Sequence, residues 1–416
     1  MKKIVKYIFL SSGLIVVFVF ILNIILALTG PDSNLEYLVT SGNANGTSFN
    51  EYINQEGTVP IKSKYSYFTE IDEPGVVFTK IIKFKDDKYF ILGYNAGENI
   101  LFETDISGNV LSKRVIEKGN VRFYDLTYFN NVINFVGEKE NKPYILSINE
   151  SGSKLWSEVY NFGGSFSFIK PLSTGYLIGG YKYTENNKQS YILEINEVGT
   201  KIWEDTYGRS DDEELLDAFL FGSQIYTVGN TNSNPRKQKD LLFLRYSTDG
   251  IRNFQGEYGD QYYDEYPASI IIDKEGYVYV GGYSIPSGKT TWQNFFFKSI
   301  KNLEENGEIK TLKFDSHSIQ NLSRITSMVL DNDNLYMGGF SVEKWPDYNG
   351  FIRINNKNGV LIEQKIYGKS DEERFYDFII ANDKSVIAVG YIKRNDIVYP
   401  LLMKTDSDLR IPEYER

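Results

Sequence analysis

Seven times along this chain an apolar run ends in glycine: FILGY at Gly93, NFVGE at Gly137, LIGGY at Gly180, YTVGN at Gly229, YVGGY at Gly282, YMGGF at Gly339 and IAVGY at Gly390. Successive gaps are 44, 43, 49, 53, 57 and 51 residues. A second glycine follows each of the first six, at Gly108, Gly152, Gly199, Gly250, Gly307 and Gly359. Each of these lies between an apolar run such as YILSI or LLFLRY and another strand-like run such as KLWSEVY. Glycine suits such turns because they often require positive φ. Each unit therefore reads as four strands, and four strands every 40–50 residues or so mark the blades of a propeller. The expectation is an all-β, seven-bladed β-propeller over residues 63–416, built of four-stranded blades.

The seventh unit stops short. Its third strand, PLLMKTD, reaches Asp406, and Pro412 in the tail argues against a full fourth strand. The segment KYSYFTEIDEP aligns with QKIYGKSDEE, setting Asp72 on Asp371 and Ile81 on Ile380. A strand near 63–69 is thus expected to complete the last blade and close the ring, removing exposed edges.

Ahead of the repeats, Lys2, Lys3 and Lys6 precede an apolar stretch from Ile8 to Leu28. That is long enough to span a bilayer as a helix, and ALTG at 27–30 is a poor cleavage site. Residues 1–30 are read as an uncleaved signal anchor, with a cleaved signal peptide as the alternative. The lysine placement puts the N-terminus in the cytoplasm and the remainder outside it. Residues 31–62, rich in Gly, Asn and Ser, read as a flexible linker.

Composition removes several chemistries. The chain has no Cys and a single His, His317, so disulfides, thiolate metal sites and paired-imidazole catalysis are excluded. A formal net charge of −10 leaves no basic footprint for nucleic acid. Tyr and Phe number 32 and 27, which favours pleated, half-buried surfaces.

The unit WEDTYGRSDDEELLDAF…YTVGNTNS…DLLFLRYSTDG resembles exported bacterial propeller repeats of the form W-x-x-x-Y-G-G-S-x-x-D-E…G-G-Y-x-V-x-G. The likeness covers about residues 63–409 and is clear in units 3, 4, 5 and 7; units 1 and 2 have lost Tyr-Gly-x-Ser. It implies a fold and an exported location rather than a reaction. Trp156 and Trp203 also give a more distant likeness to quinone-cofactor dehydrogenase propellers, whose vicinal cysteines are absent here.

Propeller wiring places the loops between strands two and three, and those between blades, on one face. That face carries the longest loops: SIPSGKTTWQN with Trp292, SVEKWPDYNG with Trp345 and Tyr348, and NTNSNPRKQKD. Long loops on a rigid scaffold are where function tends to lie. The Tyr-Gly-x-Ser joints bring acids to the same face: Asp211 and Asp212, Asp264 beside Tyr262 and Tyr263, and Asp371 with Glu372. Together they suggest a rim that binds a surface polysaccharide or a protein partner. The competing reading is that acids and serines recurring in phase with the fold satisfy backbone N–H groups at each joint.

Asp125, Asp217 and Asp377 occupy matching places, each expected at the start of an inner strand. Carboxylates at one level of a ring suit Ca²⁺, the one cofactor considered; the alternative is bonding to backbone or a neighbouring blade. DNDN at 331–334 lacks the Gly and distal Glu of a calcium loop and reads as a turn. No cofactor is otherwise expected. The function expected is that of a membrane-anchored, extracytoplasmic and monomeric binding or scaffold module, more a binder than an enzyme. The alternative is a carboxylate-dependent glycan hydrolase or lyase on the same fold.

Overall fold

The computed structural model describes residues 66–411 except 86, 186, 236–237, 290, 299–321, 345–346 and 369–370. The expected anchor and linker therefore lie outside the described residues, as do Trp345 and His317. Among the described residues no helix is long and apolar enough to cross a membrane.

Among the described residues all the regular structure is antiparallel β-sheet, in seven separate sheets, six built from consecutive strands and the seventh from the last three strands and the first. The complete four-stranded blades number six among the described residues, one fewer than the repeat predicts. The fifth sheet shows three strands, and the stretch that would hold its fourth, 299–321, is outside the described residues. The innermost strands are Val77–Lys85, Val121–Phe129, Gly164–Leu172, Glu213–Phe221, Tyr263–Ile272, Ser323–Asp331 and Glu372–Ile380. Each packs beside the next, and the last returns to the first, so the sheets form a β-propeller.

The core lies between blades rather than inside any one of them. Phe90 and Leu101 of the first sheet meet Phe123 and Phe135 of the second. Leu177 and Ile192 of the third meet Leu215 and Leu242 of the fourth. The same pattern continues around the ring. Second and third strands are covered on both faces, which is why their sequences are unbroken apolar runs instead of alternating ones.

Ring closure follows the sequence. Tyr67–Glu70 pairs antiparallel with Ile397–Lys404, Tyr67 opposite Lys404 and Glu70 opposite Leu401. This strand supplies the outer edge of the seventh sheet. The alignment needs one correction: Phe78 and Phe375 are level, so Ile81 corresponds to Phe378 and not to Ile380. The link before the first inner strand is two residues longer than the sequence match allowed.

Every innermost strand carries a β-bulge at the same level. The pairing skips one residue at Thr79, Tyr124, Ser167, Leu216, Ala268, Thr326 and Tyr376. Opposite the residue before each bulge stands the repeat glycine: Gly93, Gly137, Gly180, Gly229, Gly282, Gly339 and Gly390. The glycine is needed for space. A Cβ on Gly229 would lie 1.8 Å from the Glu214 carbonyl oxygen, and one on Gly390 1.8 Å from that of Arg374. Gly137, Gly180 and Gly339 face the same obstacle at 1.9, 2.1 and 1.9 Å. At Gly93 the nearest atoms are side chains of Phe102 and Val76, both at 3.0 Å.

The missing seventh turn glycine is also accounted for. In the first sheet the Asp105 carboxylate accepts the N–H groups of Ser107 and Asn109, and Gly108 sits at φ 78°. In the seventh, Asp406 accepts those of Asp408 and Arg410, and the residue in the glycine's place is Leu409 at φ 58°. A left-handed leucine is costly, but Leu409 is fully buried among Tyr367, Phe375 and Ile411. Its carbonyl accepts the Tyr367 hydroxyl at 2.8 Å.

Two stability predictions follow from these contacts. Gly229→Ala and Gly390→Ala are each expected to cost about 1–3 kcal/mol, with Gly93→Ala costing less, read by denaturant unfolding. Equal losses at all three would remove the bulge explanation. Leu409→Ala is expected to cost about 3 kcal/mol through lost burial. Leu409→Gly should be no worse than Leu409→Ala, because relief of about 1 kcal/mol of backbone strain offsets the missing methyl.

Candidate functional site

The inter-blade joints show first what the repeated acids do. Glu213 is buried, and one of its carboxylate oxygens accepts the N–H of Arg209, the third residue of Tyr207-Gly208-Arg209, at 3.0 Å. Glu265 does the same for Asp260 at 2.9 Å. Asp212 accepts the Lys188 N–H of the preceding sheet at 2.8 Å, while its own N–H donates to Asn232. Asp264 accepts the Lys239 N–H at 2.8 Å, again from the sheet before. Asp371 takes the Arg394 Nε at 2.6 Å, and Glu372 takes the Tyr391 hydroxyl at 2.6 Å and pairs with Arg374. The N–H of Asp211 donates to Ser233 at 2.9 Å. Asp212 and Asp264 thus tie one blade to the one before, while Glu213 and Glu265 close their own joints and Asp371 and Glu372 bond within the seventh sheet.

The buried acids at the joints are perturbed. Burial, reinforced by Asp240, Asp260 and Asp264, pushes the Glu265 carboxyl up to about 8 although the Asp260 N–H opposes it. Burial likewise raises Glu70 on the closing strand to about 7, against the lowering effect of Arg394.

The three inner aspartates stand at one level, directly after the bulge and in mid-strand rather than at its start. Each reaches the next blade: Asp377 accepts the Ile81 N–H at 3.1 Å, Asp125 that of Ile169 at 3.0 Å and Asp217 that of Ile270 at 3.0 Å. Lys80 lies 3.5 Å from Asp377 and 3.6 Å from Asp125, and Lys170 2.7 Å from Asp217. No group of three or more acidic or imidazole side chains is arranged to hold a metal ion among the described residues. Here the aspartates act as latches between blades.

On the long-loop face the rim residues divide. Tyr262 is 63% exposed, and Tyr263 is half-buried. Tyr348 is buried against Phe340, Val342 and Trp292, with the Arg374 guanidinium 4.0 Å from its ring centre. Trp292 is half-buried, with Arg324 4.6 Å from its ring centre. Tyr348 is thus a packing residue, and Tyr262 is the open aromatic of the set.

The residue two before each bulge, adjacent to the one facing the repeat glycine, forms a second ring. In three sheets it is arginine lying over the aromatic that follows the preceding blade's glycine. Arg122 lies 4.3 Å from the Tyr94 ring, Arg324 4.3 Å from Tyr283 and Arg374 4.9 Å from Phe340. In the fourth sheet the same position holds Glu214, and the preceding aromatic is Tyr181. The shorter acid leaves space. A cavity of about 270 Å³ opens there, lined by Tyr181, Tyr183, Lys188, Glu214, Asn230 and Lys239, with Asp212, Thr231 and Asn232 at its edge.

Its walls come from hairpins of the third and fourth sheets on the long-loop face. Lys188 pairs with Glu214 at 2.9 Å and sits 4.3 Å from the Tyr181 ring centre. Asn230 donates to Glu214 at 3.3 Å. Burial alone would raise the Glu214 carboxyl; Lys188 and Lys239 outweigh it and hold the group below its ordinary value. Sequence reading singled out Asp212 from this cavity and missed Glu214, Asn230 and the two tyrosines. The signal was a departure from the repeat, with Glu for Arg before the bulge and Asn for an aromatic after Gly229.

No protein-family profile matches the chain, and no curated protein matches it in sequence. Solved structures share the fold. Hydrazine synthase of Kuenenia stuttgartiensis matches with a TM-score of 0.53 at 12% identity, over 80% of this chain and 96% of that one. The β-propeller domain of the trilobed protease of Pyrococcus furiosus matches with a TM-score of 0.46 at 14% identity, over 82% and 94%. At 12% identity the likeness to the first of these shows the fold alone.

The raised Glu265 gives a pH prediction. A carboxyl with a native value of about 8 holds its proton more tightly folded than unfolded, where glutamate titrates near 4.3 or so. Its contribution is full below the unfolded value and is lost as pH rises toward about 8. Glu265→Gln keeps an acceptor for the Asp260 N–H and is expected to flatten the fall in melting temperature between pH 5 and pH 8, or thereabouts. An unchanged slope would show that this carboxyl is ionised throughout.

Proposed function

We propose that the chain is a membrane-anchored, extracytoplasmic binding module, a seven-bladed propeller of the exported bacterial repeat type. Its long-loop face takes a surface polysaccharide or a protein partner. One observation carries the reading: a polar cavity with an aromatic wall, at the blade junction where the arginine clamp gives way to Glu214. Apolar-bodied Tyr181 and Tyr183 beside hydrogen-bonding Asn and Lys groups suit a sugar residue better than a flat protein surface. A scaffold role without a small ligand would leave such a cavity without purpose.

The hydrolase or lyase reading draws no support from the joint acids, since Asp212, Glu213, Asp264 and Glu265 are engaged by backbone N–H groups.

The test is retention of the full-length protein on the producing cell's polysaccharide and protein envelope fractions, presented separately. Polysaccharide should retain it, and Tyr183→Ala with Asn232→Ala should weaken retention about tenfold, which is about 1.4 kcal/mol. Retention unchanged in that variant moves the site elsewhere, and release of reducing ends from the polysaccharide replaces the binding reading with the enzymatic one.

A further inference from the structure

Two groups in this cavity lack a counterpart. Asn230 is 5% exposed, and its side-chain oxygen has no hydrogen-bond partner, although its amide nitrogen donates to Glu214. A buried acceptor left unmatched is costly unless a ligand donor fills it. The other group is the Lys239 ammonium. It rests 4.8 Å from the Tyr266 ring centre, and no carboxylate lies within ion-pair distance of it among the described residues. Of the charges around it, only the Lys188 and Glu214 side chains are directly paired among the described residues; the Asp212 carboxylate accepts the neutral Lys188 backbone N–H. The cavity's two lysines and two carboxylates cancel, but it holds one ammonium with no carboxylate within ion-pair distance among the described residues, one acceptor to fill and an aromatic edge made by Tyr181 and Tyr183, whose rings lie 5.5 Å apart.

Resting on the binding role above, we infer that the cavity takes a carboxylated sugar residue, of the uronic-acid class, from a surface polysaccharide. The sugar carboxylate meets Lys239, a ring hydroxyl donates to the Asn230 oxygen, and the apolar face of the ring lies against Tyr181 and Tyr183. A volume of about 270 Å³ admits one such residue and leaves its chain neighbours outside. The protein's net charge of −10 works against a polyanion at long range. Recognition of a single acidic residue at short range, strengthened by moderate salt that screens the bulk repulsion, is the consequence.

The full-length protein in detergent is titrated calorimetrically with trigalacturonate and with its fully methyl-esterified, uncharged form. The acid is expected to bind about tenfold more tightly than the ester. Lys239→Gln should remove that preference by weakening the acid alone, and Lys239→Arg should restore it. Tyr183→Ala should weaken both probes. Lys239 also lies over the Tyr266 ring and beside Glu214, so melting temperatures are read for both variants, and Lys239→Arg, which keeps the charge, is expected to melt with the unaltered protein. Equal binding of acid and ester, or a preference that survives Lys239→Gln, overturns the acidic-sugar assignment while leaving the polysaccharide reading intact. Absence of binding by either probe also overturns it, and retention on the envelope fractions then decides the broader reading separately.

Discussion

The crossing of a carbonyl over a glycine, at Gly137, Gly180, Gly229, Gly339 and Gly390, is the contact on which this ring depends. The bulge turns one residue of the inner strand out of register, and the carbonyl before it swings over the neighbouring strand. Only a residue without a Cβ leaves room, as the 1.8 Å approach at Gly229 and Gly390 shows. The bulge also increases local twist, which a propeller blade needs between its narrow inner and wide outer edge. Directly after it, three blades present an aspartate to the next blade's backbone. The kink within a blade and the latch between blades are thus adjacent consequences of one local geometry.

Closure has its own logic. A ring with one strand missing would expose the Ile397–Lys404 edge, and Tyr67–Glu70 covers it. The same strand reaches the first blade: a Cβ on Gly108 would lie 2.7 Å from the Tyr67 ring, so that ring sits directly on the turn. Trp156 on Gly199 and Trp203 on Gly250 repeat this contact elsewhere. The strand-end tryptophans, which carried the distant likeness to dehydrogenase propellers, therefore act as wedges between an outer strand and the neighbouring turn. Arg394 adds to closure by bonding both Glu70 and Asp371 at 2.8 and 2.6 Å, joining the N-terminal strand to the last joint.

Against this periodic background the site is an exception. Joint acids that look catalytic in sequence, such as Asp212 and Asp264, recur because each joint has backbone N–H groups to satisfy. The cavity residues do not recur. Glu214 stands where three other blades place arginine, and Asn230 where five place an aromatic; those three interfaces are filled by a guanidinium on a ring, whereas here Lys188 lies on Tyr181 and a cavity remains. In a repeat protein the scaffold is written many times over and a binding site needs writing once.

The sequence by itself determined the blade repeat, the strand that closes the ring, the face on which the long loops gather and the shared level of the inner aspartates, though not their place in mid-strand. It did so because glycine spacing and unbroken apolar runs are direct records of turns and of sheets covered on both faces. It hid the seventh turn, because Leu409 replaces glycine and its left-handed backbone is sustained by burial that no local pattern reveals. It suggested Tyr348 as a rim residue, whereas packing against Phe340 and Arg374 takes it inside. Only the tertiary structure brought Lys188 to Glu214 and set Asn230 and Lys239 around one cavity. Those residues come from two sheets, and their distances depend on how the sheets are wedged together rather than on anything in either segment.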